Sequence, residues 1–340
     1  RQRQMCIRDR SNLTRSQSGK HVVLSGGVGG AKLVKGLTSF LSPTELMIIG
    51  NVGDDFEYWG LYISPDLDTL LYTLSNRVNH ETGWGRQCET WGVLKEMTEL
   101  GRDAWFRLGD RDLAVHLERT RRLNTGDQLS TITRDFCSEF GLTHNITPST
   151  DDRLRTIVGT EKYGELGFQD YFVRLQCEPL VHSLRYEGAQ SARLHSDLET
   201  ALQSPALNSL IIAPSNPFLS VAPILAISSF KESLANRNFP CIAISPLVGS
   251  KAFKGPTAKI MTELGYEISS FAVASYYSSN LIDAIIIDST DIDVVSRIED
   301  LGIKVFTTDI SMHTLEDKIR LGQHVVSCIC LLYTSDAADE

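Results

Sequence analysis

The chain has 340 residues, of which 42% are hydrophobic and 22% charged, and its formal net charge is -9, a composition typical of globular proteins. This acidity argues against a nucleic-acid-binding protein, which needs a basic surface to neutralise phosphates, so we expect small-molecule ligands. No apolar run approaches the roughly 20 residues that span a bilayer, so we expect no membrane association. The 7 cysteines form no CxxC pair, which indicates a reducing compartment and predicts a cytoplasmic location.

The two ends of the chain differ in character from the residues between them. Residues 1–20 are basic, polar and without periodicity, and residues 327–340 follow a helix-like stretch without continuing its pattern. We expect both segments to be disordered or to be translated flanking sequence. The predicted folded unit is therefore one α/β domain over residues 21–326.

The first predicted elements are a strand, a glycine-rich loop and a helix. The apolar run 21–24 is followed by glycines within 25–30, and helical spacing of apolar residues continues over 31–40. A second apolar run at 46–49 ends in Gly50-Asn51-Val52-Gly53-Asp54-Asp55. Two strands joined through a helix predict a βαβ unit with parallel strands.

The same alternation returns in the C-terminal half, where four short apolar runs each end in turn residues. These predicted strands lie at 210–213, 241–245, 284–287 and 304–306. Helix-like stretches separate them, for example 258–264 after Pro256. The pattern predicts a doubly wound, mostly parallel, Rossmann-like α/β sheet with helices on both faces.

The middle of the chain interrupts this alternation. Residues 89–100, 111–123 and 128–140 have the apolar periodicity of amphipathic helices. Some β-leaning pieces follow, such as Tyr171-Phe172-Val173. We interpret residues 90–185 as a largely helical insertion packed beside the sheet.

The glycine-rich loop nearly matches two phosphate-binding motifs and completes neither. The dinucleotide fingerprint GxGxxG is broken at Lys32, and the P-loop pattern is broken at Ala31 and Leu33. Consecutive glycines still let backbone amides approach a phosphate closely. The alternative is a tight turn without a ligand, and Lys32 is equally compatible with a phosphate partner and a solvated lysine.

Acidic residues cluster after the second strand and at the start of the next helix. Asp54 and Asp55 end one loop, while Asp66 and Asp68 lie in the segment Ser64-Pro65-Asp66-Leu67-Asp68-Thr69. Each residue alone is typical of a helix cap or a turn. Together, and opposite a phosphate-binding loop, carboxylates from two neighbouring loops indicate a magnesium site.

Three further features are less specific. Residues 107–112 (RLGDRD) fit either a helix cap with solvated charges or a clamp for a substrate anion, and residues 213–217 (APSNP) form a strand-end turn with hydroxyl and amide groups. Trp84 fits stacking on a planar ligand or core packing. The isolated histidines His116, His144 and His182 have no metal-ligand spacing, so structural or surface roles are expected.

Six of these segments, taken in order, resemble the 2-phospho-L-lactate transferase family of coenzyme F(420) biosynthesis. They are SGGVGGAK at 25–32, GDD at 53–55, ISPDLDT at 63–69, TGWG at 82–85, LGDRD at 108–112 and APSNP at 213–217. The resemblance implies a Mg²⁺-dependent transfer of a phospholactyl or phosphoenolpyruvyl group. In the reaction that the resemblance implies, the donor is a guanosine diphosphate conjugate, the acceptor is the ribityl hydroxyl of the deazaflavin FO, and GMP is released. A homodimer is also implied.

The resemblance also assigns roles to residues. Asp54 and Asp68 are expected to be catalytic and to hold Mg²⁺, and Asp68, Arg107 and Trp84 to contact FO. The two roles of Asp68 compete, and the sequence does not choose between them. The residues expected to bind the guanosine diphosphate part are Gly27, Gly29, Gly30, Lys32, Ser215, Asn216 and Ser245.

The main alternative is a nucleotide-sugar-binding regulatory protein similar to the gluconeogenesis factors. Those relatives share the glycine loop and the sheet but lack the PDLDT and LGDRD segments, and both segments are intact here. A nicotinamide dehydrogenase is less compatible with the sequence because the fingerprint is broken at Lys32.

Overall fold

The computed structural model describes residues 19–235, 237–249, 251–252 and 256–336. The N-terminal elements are β1 (Lys20–Ser25), α1 (Gly27–Leu37), β2 (Leu46–Gly50), β3 (Phe56–Tyr58), β4 (Leu61–Ile63) and α2 (Pro65–Leu74). The predicted βαβ unit is confirmed, since β1 pairs in parallel with β2. Helix α1 begins at Gly27 instead of Ala31, so the predicted glycine loop is the first turn of the helix.

The middle of the chain is helical at first and then forms strands. Its elements are α3 (Gly92–Glu99), α4 (Asp110–Asn124), α5 (Leu129–Glu139), β5 (Ile146–Pro148), β6 (Arg155–Thr160), β7 (Gly164–Gly167) and β8 (Val181–Glu187). The three predicted helices are confirmed. Strand β5 joins the main sheet, whereas β6, β7 and β8 form a separate antiparallel sheet.

The β prediction for Tyr171-Phe172-Val173 is wrong, because these residues lie in a π-helical turn, Asp170–Arg174. The turn buries Tyr171 completely and leaves Phe172 at the surface. Tertiary packing of one aromatic ring has here overridden the strand propensity of the three residues.

The C-terminal half continues the α/β alternation, and all four of its predicted strands are confirmed. It contains α6 (Ser196–Leu202), β9 (Leu207–Ile212), a π-helical turn (Pro217–Val221), α7 (Ala222–Leu225), α8 (Ser228–Ala235), β10 (Cys241–Ile244), β11 (Leu247–Val248), β12 (Lys251–Ala252), α9 (Thr257–Glu263), α10 (Ser270–Tyr277), β13 (Ala284–Asp288), a 3₁₀ helix (Ser289–Val294), α11 (Val295–Glu299), β14 (Lys304–Thr308) and α12 (Leu315–Asp336).

Seven strands form the central parallel sheet, in the order β14-β13-β10-β9-β1-β2-β5. The chain moves outward from β1 through β2 to β5, then returns to the other side of β1 with β9 and moves outward again. This reversal creates a topological switch point between β1 and β9. In open parallel sheets ligands bind at such a point, beyond the carboxyl ends of the strands.

Helix α12 extends past the predicted end of the folded domain. It continues through Asp336, and Cys328, Ile329 and Leu332 are buried. The expectation of a disordered tail is therefore wrong for residues 327–336, because apolar residues three or four apart keep one face of the helix on the core. The expectation for residues 1–18 lies outside the described residues. None of the helices in the described ranges, α12 included, combines the length and apolar character that crossing a membrane requires.

Ile329→Ala should lower the free energy of unfolding by about 2–5 kcal/mol, because it leaves a cavity beneath α12. Leu331→Ala is the matched control on the same turn, since Leu331 is 53% exposed and Ile329 only 2%. We expect the control to change stability by no more than about 0.5 kcal/mol. Urea denaturation measures both, and equal effects would show that the end of α12 does not pack as described.

Candidate functional site

The ends of β1 and β9 are tied together at the switch point. The Ser215 hydroxyl accepts a hydrogen bond from the Gly26 amide at 3.1 Å and donates to the Gly26 carbonyl oxygen at 2.7 Å. A side chain at Gly29 would overlap the Pro214 carbonyl oxygen, so only glycine permits this approach. Ser215, predicted to bind phosphate, thus uses its hydroxyl to hold the two loops in place.

Two buried carboxylates, Asp54 and Asp66, meet beside the first turn of α1, and we call them the acid pair. The Asn51 side-chain amide donates to Asp66 at 2.9 Å and lies 3.4 Å from an Asp54 oxygen. Asp66 also accepts from the Gly27 amide at 2.6 Å. The carboxylates therefore converge where the unpaired amides of a helix N-terminus attract anions.

Burial disfavours the ionised form of both carboxylates of the acid pair. Burial, together with repulsion from Asp66 and Asp55, raises the pKa of Asp54 well above its ordinary value. Burial also raises the pKa of Asp66 to about 6, against the hydrogen bonds from Asn51 and Gly27. Oxygen ligands in such an electronegative pocket suit a hard divalent cation such as Mg²⁺.

Asp55 belongs to the same cluster but faces the cationic side of the site. It accepts a hydrogen bond from Ser64 at 3.0 Å, and its second oxygen has no hydrogen-bond partner among the described residues. Burial raises its pKa to about 7, although Arg155 and Arg119 oppose the shift.

Asp55→Asn should stabilise the protein at neutral pH but not at pH 4. Because the folded-state pKa of Asp55, about 7, lies above the ordinary 3.8, the folded protein holds a proton that the unfolded chain releases. As the pH rises from 3.8 to about 7, the wild type should therefore lose stability relative to the variant, by at most about 1.4 kcal/mol per pH unit. Urea denaturation at pH 4, 5.5 and 7.5 without divalent cations tests this, and a difference independent of pH would contradict it.

Asp68 occupies a different environment from the acid pair. Its two oxygens accept hydrogen bonds from the two terminal nitrogens of Arg119, one of them at 3.1 Å, and both side chains are buried. Asp54 and Asp68 remain the residues predicted to hold Mg²⁺, but the side chain that shares the Asn51 amide with Asp54 is Asp66. Asp68 is neutralised by a guanidinium.

A group with metal-ligand spacing surrounds Asp68 within the described part of the chain. Ligand atoms of Asp68, Asp112 and His116 lie within 4.8 Å of one another. However, Arg119 Nη1 lies 3.2 Å from His116 Nδ1 and also contacts Asp68. A guanidinium at this place repels a cation, which disfavours metal binding by this cluster.

A cleft of ≈ 310 Å³ opens beside Asp54, between the loop after β2 and the antiparallel sheet. Its lining includes Asp54, Asp55, Arg155 and Gln169. The Gln169 amide lies 3.4 Å from the second Asp54 oxygen. Asp54 therefore lies between the acid pair and a space that can admit a ligand.

Several predicted nucleotide-binding side chains have structural partners. Asn216 caps the turn after β9 by accepting from the Phe218 and Leu219 amides, and it donates to Thr257 at 2.9 Å. Ser245 is buried and exchanges a hydrogen bond with Ser270. Gly27, Gly29 and Gly30 form the start of α1, and Lys32 lies one turn further on. These residues lie at or near the switch point, where Asn216 and Ser245 have protein partners.

Two of the three residues predicted to contact the acceptor, Arg107 and Trp84, lie in the segments between α2 and α4, whereas Asp68 is on α2. Arg107 is exposed and stacks on Trp91, with its guanidinium carbon 4.7 Å from the ring centre. Asp110 accepts from the Gly92 and Val93 amides, so this part of the RLGDRD segment is a helix cap. Trp84 is 50% exposed and makes no ring stacking with the described residues.

Sequence reasoning placed Asp66 in the acidic cluster without giving it an individual role, did not identify Arg119, and assigned His116 no site role. Asp112, His116 and Arg119 recur at i, i+4 and i+7 of α4, which places them on one helix face. All three are largely buried although the rest of α4 is strongly charged. Polar residues at helical spacing were therefore the available sequence signal. Their role becomes clear only when α2, which carries Asp68, is placed opposite them.

A Rossmann-like parallel sheet with buried carboxylates at its switch point defines the chain as a ligand-binding α/β protein. The chain belongs to the 2-phospho-L-lactate transferase (CofD) family, whose model matches residues 22–323. Membership in this family makes it a transferase and favours that class over the nucleotide-sugar-binding regulator.

The curated relatives carry two names. A phosphoenolpyruvate transferase from Streptomyces griseus is 37% identical over 83% of this chain and 90% of its own length. A phosphoenolpyruvate transferase from Streptomyces coelicolor is 34% identical over 90% of this chain and 97% of its own length. A 2-phospho-L-lactate transferase from Methanococcoides burtonii is also 34% identical, over 90% and 98%.

A solved structure supports the fold alone. A protein of the UPF0052 family from Bacillus halodurans superposes with a TM-score of 0.59 at 12% identity, covering 91% of this chain and 99% of its own. The predicted doubly wound α/β class is confirmed.

Proposed function

We propose that this transferase moves a phospholactyl or phosphoenolpyruvyl group from a guanosine diphosphate conjugate to FO. The products would be coenzyme F(420)-0 or its dehydro form, together with GMP. The observation that carries the proposal is the acid pair beside the N-terminal turn of α1. It combines carboxylates with backbone amides at one point, which is what binding a diphosphate with its counter-ion requires.

The residues present fit Mg²⁺. Asp54 and Asp66 are buried carboxylates, and burial is the main cause that raises the pKa of each, so a bound cation would favour their ionised forms. Asp54 and Asp66 would hold the ion, which when bound supplies neutralisation of the donor's diphosphate. The Gly27 amide donates to Asp66, so the amides of Val28 and Gly29 in the first turn would bind the phosphate oxygens.

Asp68 fits the acceptor role better than the metal role. A carboxylate has about four lone-pair sites, and Arg119 uses two of those on Asp68, so a substrate hydroxyl can still donate to it. In the proposed reaction the ribityl oxygen forms a bond to the phosphorus that bears the three-carbon acid. The bond from that phosphorus to the bridging oxygen breaks, GMP leaves with that oxygen, and the hydroxyl proton passes to Asp68.

Arg107 and Trp84 belong to the proposed FO-binding side of the site. Arg107 lies three residues before the start of α4, the helix that places Arg119 against Asp68. An arginine on an aromatic ring presents a flat cationic surface that suits a planar heterocycle. A cytoplasmic location and a homodimer remain predictions.

The proposal is tested by supplying FO and Mg²⁺ with the lactyl and the enolpyruvyl donor in parallel and measuring GMP by chromatography. We expect GMP from at least one donor, and the ratio of the two kcat/KM values identifies the three-carbon acid. No GMP from either donor would overturn the proposal.

A further inference from the structure

A chain of polar side chains connects Asp68 to the interior of α4. Arg119 bonds both oxygens of Asp68 and lies 3.2 Å from His116 Nδ1. His116 Nε2 lies 3.4 Å from an Asp112 oxygen, which also accepts from the Tyr72 hydroxyl at 2.5 Å. The network joins α2, which carries Asp68 and Tyr72, to α4.

The direction of these contacts follows from Arg119, which can only donate. His116 Nδ1 faces the guanidinium and must accept, so the ring proton of a neutral imidazole is on Nε2, which lies 3.4 Å from Asp112 but makes no hydrogen bond to a described residue. Arg119 therefore determines the tautomer of His116, Asp112 lies beside the other ring nitrogen, and His116 accepts from one terminal nitrogen of Arg119.

An aromatic ring also packs against the Arg119 guanidinium. Phe136 of α5 packs against it, with 5.8 Å between the guanidinium carbon and the ring centre. Arg119 is 2% exposed, and its Nε has no hydrogen-bond partner in the described part of the chain. A long, flexible side chain is thus confined to one position, with its fork directed at Asp68.

We infer that Arg119 is a positioning residue that sets the orientation of the Asp68 carboxylate for the acceptor hydroxyl, and that His116 helps to hold Arg119 in place. The inference rests on the proposed function, in which Asp68 receives the hydroxyl. The terminal nitrogens of Arg119 are engaged by Asp68 and His116, so Arg119 acts on the hydroxyl through Asp68. Its two parallel hydrogen bonds fix the plane of the carboxylate, which a single point charge does not do.

The inference is tested with Arg119→Lys and Arg119→Met, measuring kcat and the KM for the guanosine donor per folded molecule below the unfolding transition. Lysine keeps the positive charge but cannot make the two parallel hydrogen bonds to Asp68, and we expect kcat to fall about 10-fold or more. Methionine removes both, and we expect a fall of at least about 10²-fold. The KM for the donor should stay unchanged in both, because the donor binds at the acid pair.

Arg121→Met is the matched control, since Arg121 lies on the same helix and is exposed with Glu118 as its partner. It should leave kcat unchanged. His116→Gln keeps an acceptor near Arg119 and provides a milder variant should Arg119→Met fail to fold; it should lower kcat less than Arg119→Lys does.

Full activity per folded molecule in Arg119→Lys and His116→Gln would overturn the inference, as would a rise in donor KM with unchanged kcat. Failure of the proposed function is a separate result, because it would appear as absence of turnover in the wild type.

Discussion

Asp54→Asn should abolish Mg²⁺-dependent transfer, with a loss in kcat/KM of at least about 10³-fold. A bound cation contributes several kcal/mol of charge stabilisation, and about 1.4 kcal/mol corresponds to a tenfold change in rate. Asparagine has nearly the shape of aspartate but lacks the charge that the acid pair offers to a cation. GMP release under saturating Mg²⁺ measures the effect.

The same substitution should raise the melting temperature of the protein without divalent cations. The pKa of Asp54 is raised in the folded state by burial and by Asp66 and Asp55, so ionisation of Asp54 opposes folding. Stability is therefore lost as the pH rises above the ordinary carboxyl range, and the variant avoids this loss. A gain of about 1 kcal/mol would appear as about 2–4 °C at pH 7.5 and should shrink toward pH 4.

Mg²⁺ distinguishes the two proteins without an activity assay. Adding it should raise the melting temperature of the wild type, because a ligand that binds only the folded state stabilises it, and should not do so for Asp54→Asn. Asp300→Asn is the control, since Asp300 is exposed and lies at the end of α11. An equal Mg²⁺ response in wild type and Asp54→Asn would remove Asp54 from the metal site.

Asp68→Asn should also remove most activity but should change stability in the opposite direction. Loss of the base that receives the hydroxyl proton is expected to lower kcat by about 10²–10⁴-fold. The buried Arg119 then loses its carboxylate partner, which typically costs about 3–5 kcal/mol of folding stability.

A double variant separates the two effects of Asp68→Asn. Asp68→Asn with Arg119→Met removes both charges, so its stability should lie above that of Asp68→Asn while its activity stays low. Thermal unfolding of the four proteins in this cycle, including Arg119→Met alone, provides the comparison. Stability of Asp68→Asn equal to that of the wild type would show that the ion pair is not buried as described.

Much of the fold could be predicted from sequence because its signals are local. Buried parallel strands appear as short apolar runs ending in turn residues, as at 241–244 and 284–288. The three-residue strand β5 and the small antiparallel sheet gave no comparable signal, since their pairing depends on partners distant in sequence. The end of α12 was missed because its apolar face needs α1 to pack against.

The candidate site was only partly predictable for the same reason. The sequence indicated that Asp54 and the PDLDT segment belong together, but Asp66 and Asp68 lie two residues apart on α2 and have different partners. The position of α4, which the sequence does not reveal, places Arg119 against Asp68. Asp66 lies instead beside Asp54, and Asn51 contacts both. Hydroxyls such as Ser215 matched a phosphate-binding pattern and are engaged in holding the backbone.

The most direct test of the account is the stoichiometry of acceptor-dependent transfer. Purified protein is incubated with Mg²⁺ and the accepted guanosine donor, with and without FO, and GMP and the FO phosphodiester are quantified by mass spectrometry. We predict equal amounts of GMP and phosphodiester when FO is present and no GMP without it. GMP release at the same rate without FO would indicate hydrolysis of the donor and would contradict the transfer of its phosphoryl group to the FO hydroxyl.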